Sequence, residues 1–487
     1  MNDTKHYKLG SLFDGSGGFP LAGALCGIEP VWASEVEPYP IAVTSSRFPK
    51  MKHLGDISKI NGAEVEPVDI ITFGSPCQDL SVAGKRAGLK HEANGDEETT
   101  RSGLFMEAVR IIKEMRKATN GQYPRFALWE NVPGAFSSNK GEDFRIVCEE
   151  LIKIVEPSAF MPEVPQKGWN YSDSYVGDGW SLAYRVFDAQ YWGVPQRRRR
   201  VHLVADFRGT SAREVLFERQ GLRGYFETSR TPWQGTPADA QGSTGADDRE
   251  GEKPGGRQLD AVAFEPIPLN TLSITHGSGG DLRRGDGIGS PGDPQFTISC
   301  CHPHAVAYRQ GGFADYVEGE VGTLRASGGD FGGGSENIIT ERYDRHIVRR
   351  LTPTECARLQ GFADWWARVE KKDSFTDEEY TFWCKVLLEN AIIQGTARED
   401  GKGWYEIWRE VKPDKKKGED FPPYWENTGK PYKHKTSKAV LTWYNKLYTD
   451  SAEYKMWGNG IALPPALYCM QGITDALNAE EAVKWMQ

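Results

Sequence analysis

From residue 7 to residue 207 the chain repeats one pattern: a short apolar run, an abrupt stop at glycine or an acid, then a stretch of helical periodicity. Apolar runs at 7–13, 30–34, 68–73, 126–130, 183–188 and 201–206 have the length of buried strands. Between two of them, 102–118 places apolar residues at 104, 105, 108, 109, 111, 112 and 115. That is one face of a helix, with Ser102 placed to cap it. Strands alternating with helices predict an α/β domain on a mostly parallel sheet. Acids at successive strand ends then suit a ligand at the sheet's carboxyl edge.

The composition changes after residue 207. Residues 208–350 hold 25 of the 54 glycines, with short β-like pieces (TLSIT, FTISC, GTLRAS) between the clusters. The expectation is a small, loop-rich, mostly β domain. A linker is the alternative, although the regular return of apolar residues argues against full disorder. Residues 365–457 change again, with 8 of the 15 tryptophans in lysine- and glutamate-rich text of helical character, and an apolar, helix-like tail follows from Ile461. At 487 residues, two or more domains are expected.

No apolar stretch approaches ~18 residues, so no membrane helix is expected. The opening MNDTKHYKLGSLFDG lacks the apolar core of a signal peptide. Eight cysteines without a CxxC pair predict reduced intracellular thiols. A formal charge of −9 gives no hint of nucleic acid, but a local basic cleft can coexist with an acidic exterior.

Four stretches carry chemistry. LFDGSGGFPLAG runs an apolar strand into a turn at Gly15, Gly17 and Gly18, with a helix expected near Phe19. Glycines there let the backbone turn tightly and a ligand approach, although a plain strand–turn–helix reads the same way. Glu35 ends the second strand and Asp56 a possible third, positions where carboxylates accept from ribose or base. In FGSPCQDLSVAGK, Cys77 follows the end of a strand, which exposes a thiolate nucleophile. A buried, inert thiol is the alternative, disfavoured by Pro76 before it and by Gln78, Asp79 and Ser81 after it. ALWENVPG delivers Glu130 to the same edge, as an acid with a raised pKa or as a cap. In GVPQRRRRVHLV the run enters a strand, so Arg198 and Arg200 share one face and Arg197 and Arg199 the other. One pair can enter a site while the other meets solvent or phosphate.

In that order, F-x-G-x-G-G, P-C-Q, E-N-V, Q-x-R-x-R and a late G-N make the chain resemble the DNA (cytosine-5) methyltransferases of bacterial and phage type. RRLTPTECARLQGF (349–362) and YKMWGNGIALP (454–464) are similar to that family's last two motifs. The resemblance implies a Rossmann-like S-adenosyl-L-methionine-binding domain at 1–207, completed by 454–487. It further implies a target-recognition domain at 208–350, and then a motif at 351–362 followed by a tryptophan-rich helical insertion up to 453. Phe13, Asp14, Gly15, Gly17, Gly18, Glu35, Val36, Asp56, Ile57, Pro76, Leu104 and Asn459 would line the cofactor pocket. Cys77 would attack C6 of a flipped cytosine. Glu130 would bond N3 and the exocyclic amine, and Arg198 the O2, with Arg200 in support. Arg283, Arg284, Arg309 and Arg325 are candidates to read guanine.

The implied partner is double-stranded DNA, with a cognate restriction endonuclease as a second. A monomer is expected, in the cytoplasm of a bacterium or a phage-infected host. No metal is expected, because CCHPH at 300–304 lacks a second ligand pair. Asp14, Val36 and the Gly-Asn-Gly-Ile of the last motif depart from the family's usual residues. An RNA-methylating relative and an inactive DNA-binding relative are the alternatives. The second predicts loss of Cys77, Glu130 or Arg198, and all three are present.

Overall fold

The computed structural model describes residues 6–75, 103–159, 161, 163–217, 267–270, 295–296, 304–309, 346–401, 403–413 and 422–486. At 267–270, 295–296, 304–309, 346–350 and 483–486 it describes the backbone alone. Cys77, Pro76, Ser102 and the stretch between them lie outside the described residues.

The first 207 residues contain strands β1 (Lys8–Leu12), β2 (Glu29–Ser34), β3 (Lys52–His53), β4 (Ile70–Phe73), β5 (Phe126–Asn131), β6 (Ser172–Val176), β7 (Ser181–Asp188), β8 (Gln196–Arg197) and β9 (Arg199–Asp206). All but β8 form one sheet in the order β3-β2-β1-β4-β5-β9-β7-β6. The first five run parallel, and β9, β7 and β6 continue antiparallel. This is the Rossmann-like, mostly parallel sheet that the resemblance implies. Chain order reverses at β1 and β4, the switch point where such sheets open a crevice at their carboxyl ends.

Both faces of the sheet are covered, which is why its strands read as continuous apolar runs. Phe126 and Leu128 of β5 join one core with helix α1 (Gly18–Leu25), whereas Ala127 and Trp129 join the other. Helix α2 (Pro38–Arg47) follows β2. Helices α3 (Gly103–Ala118) and α4 (Glu142–Ile152) cover the second face, with Phe105, Ala108, Val109, Ile111, Ile112 and Met115 of α3 all buried. Helix α5 (Ala212–Leu216) packs on the first face with Val215 and Leu216 fully buried. The core of the sheet domain therefore runs past the expected boundary at 207.

The possible third strand, expected to end at Asp56, is β3, only two residues long and ending at His53. β6 (SDSYV) was not expected, because it is an edge strand whose polar side chains give no apolar signal.

Within 208–350, β10 (Ile267–Asn270), β12 (His304–Arg309) and β13 (His346–Arg350) form an antiparallel sheet, while β11 (Gln295–Phe296) pairs parallel with β8. Arg309 lies on β12; Arg283, Arg284, Arg325, Cys300 and Cys301 lie outside the described residues.

Beyond it come α6 (Pro353–Leu359) and α7 (Asp377–Ile393), each started by a Thr–Glu capping box. The insertion is not wholly helical. Between α7 and α8 (Ser437–Tyr444) lies an antiparallel sheet of β14 (Ala397–Glu399), β15 (Tyr405–Val411) and β16 (Tyr424–Pro431). Gly401 and Gly403 take positive φ at the turn between β14 and β15, and Gly429 does so inside β16. Trp383, Cys384, Val386, Val440 and Tyr444 of the insertion pack on Ile41 and Ala42 of α2. Last come α9 (Asp450–Asn459) and α10 (Leu463–Met486). Their Met456, Trp457, Ala466, Met470 and Ile473 are buried in the core that holds α1. No helix among the described residues is long and apolar enough to cross a membrane.

Candidate active site at the carboxyl edge of the sheet

The glycine turn is shaped by backbone, and its glycines do different work. Phe13, Gly15 and Gly17 all take positive φ. A Cβ on Gly17 would stand 2.7 Å from Thr44 Cγ2, and one on Gly18 would stand 2.5 Å from Ile461 Cγ1. These two glycines make room for α2 and the C-terminal segment. In front of Gly15 a Cβ would meet only the Phe13 carbonyl, at 3.9 Å, so Gly15 is the glycine that leaves a ligand space.

Two acids flank this turn, Asp14 buried and Glu35 half-buried. Glu35 accepts from the backbone N–H groups of Gly15 (2.7 Å), Val36 (2.7 Å) and Glu37 (2.9 Å). Burial raises its pKa, and these donors pull it back down. Asp14 accepts from Ser11 Oγ at 2.8 Å, while its Oδ2 is buried without a partner among the described residues. Burial pushes its carboxyl up to about 8, against the Ser11 hydrogen bond and with help from Glu35. Asp56 ends no strand: β3 stops at His53, and Asp56 caps a short 3-10 turn, accepting from Ser58 N at 3.0 Å. Ile57 of that turn is buried, Val36 and Leu104 are half-buried, and Asn459 is exposed. An open glycine turn with carboxyl oxygens around it suits a ligand rich in donors and positive charge, as S-adenosyl-L-methionine is.

On the other side of the switch point stands Glu130. It is 8% exposed, and its Oε1 lies 3.1 Å from Arg200 Nε. That is an ion pair without a directed N–H, since Oε1 has no hydrogen-bond partner among the described residues. Burial raises the pKa of Glu130, and Arg200 first and Arg198 second oppose the rise. Gly74 faces it closely, because a Cβ there would come 3.4 Å from Glu130 Oε2.

The turn leading towards Cys77 is clamped by β5. Trp129 Nε1 donates to Ser75 Oγ at 3.2 Å, and Asn131 Nδ2 donates to the Ser75 carbonyl at 3.3 Å. The Oδ1 of Asn131 accepts from Val132 N at 2.8 Å. The sequence reading passed over Ser75, Trp129 and Asn131, although Asn131 stands inside the E-N-V motif.

The arginine run alternates as expected: Arg198 and Arg200 turn inward, Arg197 and Arg199 outward. The inward pair differs from the expected roles in one respect. Arg198, 2% exposed, donates to the carbonyl of Gly460, so it anchors the last motif, whereas Arg200 is the partner of Glu130. The last two motifs are tied to each other, and Gly460 of the second and Trp366, just past the first, meet the glycine turn. Trp366 Nε1 donates to the Ser16 carbonyl at 2.8 Å, Gln360 Nε2 donates to the Trp457 carbonyl at 2.8 Å, and Gly460 packs on Ser16. Among the described residues no group of three or more His, Cys, Asp or Glu is placed to hold a metal.

Residues 7–155 match the model of the C-5 cytosine-specific DNA methylase family. The likeness read from the motifs thus holds across the glycine turn, P-C-Q and E-N-V. A phage P1 protein named DNA N-6-adenine-methyltransferase is 33% identical over 245 residues, 45% of this chain and 31% of that protein. The Type II methyltransferase M.BsuFI of Bacillus subtilis is 30% identical over 193 residues, 40% of this chain and 37% of the relative. M1.ScrFI of Lactococcus lactis subsp. cremoris, also named a Type II methyltransferase, is 25% identical over 362 residues, 74% of this chain and 70% of the relative. The chain thus spans about a third of the length of the first two.

Proposed function

We propose that the protein transfers a methyl group from S-adenosyl-L-methionine to C5 of a cytosine extruded from duplex DNA. One observation carries the reading: a buried carboxyl, Glu130, set between Gly74 and the Arg200 guanidinium at the end of β5. Cytosine C5 is a poor nucleophile until electrons are pushed into the ring. The Cys77 thiolate would form a bond to C6, with Glu130 donating to N3 as charge develops there. Burial raises the pKa of Glu130, and a shift in that direction favours donation of a proton. Arg200 would steady the base at O2, the role expected of Arg198, while Arg198 holds the last motif in place. The cofactor supplies an electrophilic methyl on a sulfonium. Loss of the C5 proton to a base and breakage of the C6–S bond then restore the ring and the thiolate. Phe13, Asp14, Gly15, Glu35, Val36, Asp56, Ile57, Pro76 and Leu104 would hold the cofactor. Gly17 and Gly18 shape its turn, and Asn459 stands at the rim.

The name of the phage P1 relative brings a second reading, methylation of adenine N-6. An exocyclic amine is itself the nucleophile and needs no thiol adduct, so that reading leaves the P-C-Q turn and the Glu130–Arg200 pair unused. The names of the Bacillus and Lactococcus relatives support a bacterial restriction–modification setting, with a cognate endonuclease as partner. Duplex DNA carrying 5-fluorocytosine should stay covalently attached to the protein when cofactor is present, and Cys77→Ala should abolish the attachment. Nucleosides from methylated DNA should contain 5-methylcytosine. N6-methyladenine in their place, with no trapped adduct, sinks the proposal.

A further inference from the structure

The outward arginines have no part in the site described so far. Arg199 opens β9 and pairs with Asp188, the last residue of β7. Two residues on, Val201 pairs with Asn131, the last residue of β5. Arg199 therefore stands beyond the end of β5, on the edge where Glu130 lies, but on the opposite face of its strand. The Arg199 guanidinium lies over the Tyr171 ring at 4.7 Å and forms no ion pair with a described carboxylate.

Tyr171, just before β6, is 60% exposed, and its carbonyl is fixed by Val186 N at 2.8 Å. Two residues before Arg199, Arg197 is exposed too, and Tyr191, in the 3-10 turn after β7, is 66% exposed. The carboxylate of Asp188, the cross-strand partner of Arg199, is engaged elsewhere, accepting from Gln190 Nε2 at 2.8 Å and from Arg198 N at 3.2 Å. The result is an exposed basic rim in which an aromatic ring holds one cation in place, on a chain whose net charge is −9.

We infer that Arg197, Arg199 and Tyr171 form a docking rim for the sugar–phosphate backbone of duplex DNA beside the extruded nucleotide. The inference rests on the DNA reading above and extends it from the base to the strand that carries it. Guanidinium groups bond phosphate oxygens through paired N–H donors. Stacking on Tyr171 keeps Arg199 extended at little entropic cost. Such contacts carry no sequence information; they set register and orientation.

The test is binding of the full chain to a fluorescein-labelled duplex, measured by anisotropy at several salt concentrations. Each phosphate contact contributes about 0.9 to the slope of log K against log salt. Arg197→Gln and Arg199→Gln should each lower the slope by about that amount, and the double variant by about 1.8, on any duplex sequence. Arg199→Lys should keep the slope, because the charge remains. Lys446→Gln, which removes an exposed charge at the end of α8, should leave it unchanged. Parent-like slopes in both arginine variants, or an equal drop with Lys446→Gln, overturn the rim. A parent protein that binds single-stranded RNA but no duplex overturns the reading of function itself.

Discussion

Along one edge of one sheet, the two sides of the switch point carry opposite charge. After β1 and β2 stand Asp14 and Glu35, with Asp56 in the turn past β3; from the end of β8 into the start of β9 stand four consecutive arginines. The acids are set by backbone: Glu35 collects three N–H donors from the glycine turn and from its own segment. The arginines are set by strand alternation, which sends two inward and two outward. A cationic methyl donor and a polyanionic acceptor could share such an edge without competing for the same groups. Glu130, at the boundary, is an acid paired with an arginine of the opposite half, Arg200.

Removing the boundary group should have the largest effect. Glu130→Gln should slow single-turnover methyl transfer by about 10²–10⁴-fold, with affinity for S-adenosylhomocysteine kept. A matching loss of that affinity would mean the two halves are not separable.

The acidic half should respond differently. Glu35→Gln deletes a charged acceptor of three N–H groups, which costs about 1.5–3 kcal/mol in cofactor binding by titration calorimetry. The salt slope of duplex binding should stay the same.

Asp14 should make stability depend on pH. Its carboxyl sits near pKa 8 when folded, against an ordinary value of 3.8. Between those values the folded chain keeps a proton that the unfolded chain has released, so stability falls as pH rises from about 4 to about 8. The slope approaches 1.4 kcal/mol per pH unit at most. Asp14→Asn should flatten the Tm profile over that window, and an unchanged profile would place Asp14 in contact with solvent or cation.

The smallest effect is expected at the clamp. Asn131→Ala should cost about 1 kcal/mol in denaturant unfolding. It should also slow trapping on 5-fluorocytosine duplex, since the turn before Cys77 loses its tether.

Much of this was legible because buried parallel strands leave long apolar runs, and the residue that ends each run faces the edge. Glu35 and Glu130 were readable on that ground. So was the alternation of Arg197 to Arg200, which needs only the pleat. Asp56 was misplaced because a two-residue strand leaves no run to count. The β14–β16 sheet was hidden because exposed strands rich in Lys, Glu and Trp look like helix text. The clamp of Trp129 and Asn131 on Ser75 joins residues 54 and 56 positions apart in the chain, and no local pattern marks such a bond.

The amino-acid order alone determined the sheet, its helices and the side chains available at its edge, because periodicity and turn chemistry are local. Only the tertiary structure decided which arginine meets Glu130 and which glycine faces a ligand. It also decided that Trp366 and Gly460 meet the glycine turn at Ser16, and that Gln360 ties the last two motifs together. Those outcomes depend on distances between segments tens to hundreds of residues apart, which packing sets and sequence spacing does not.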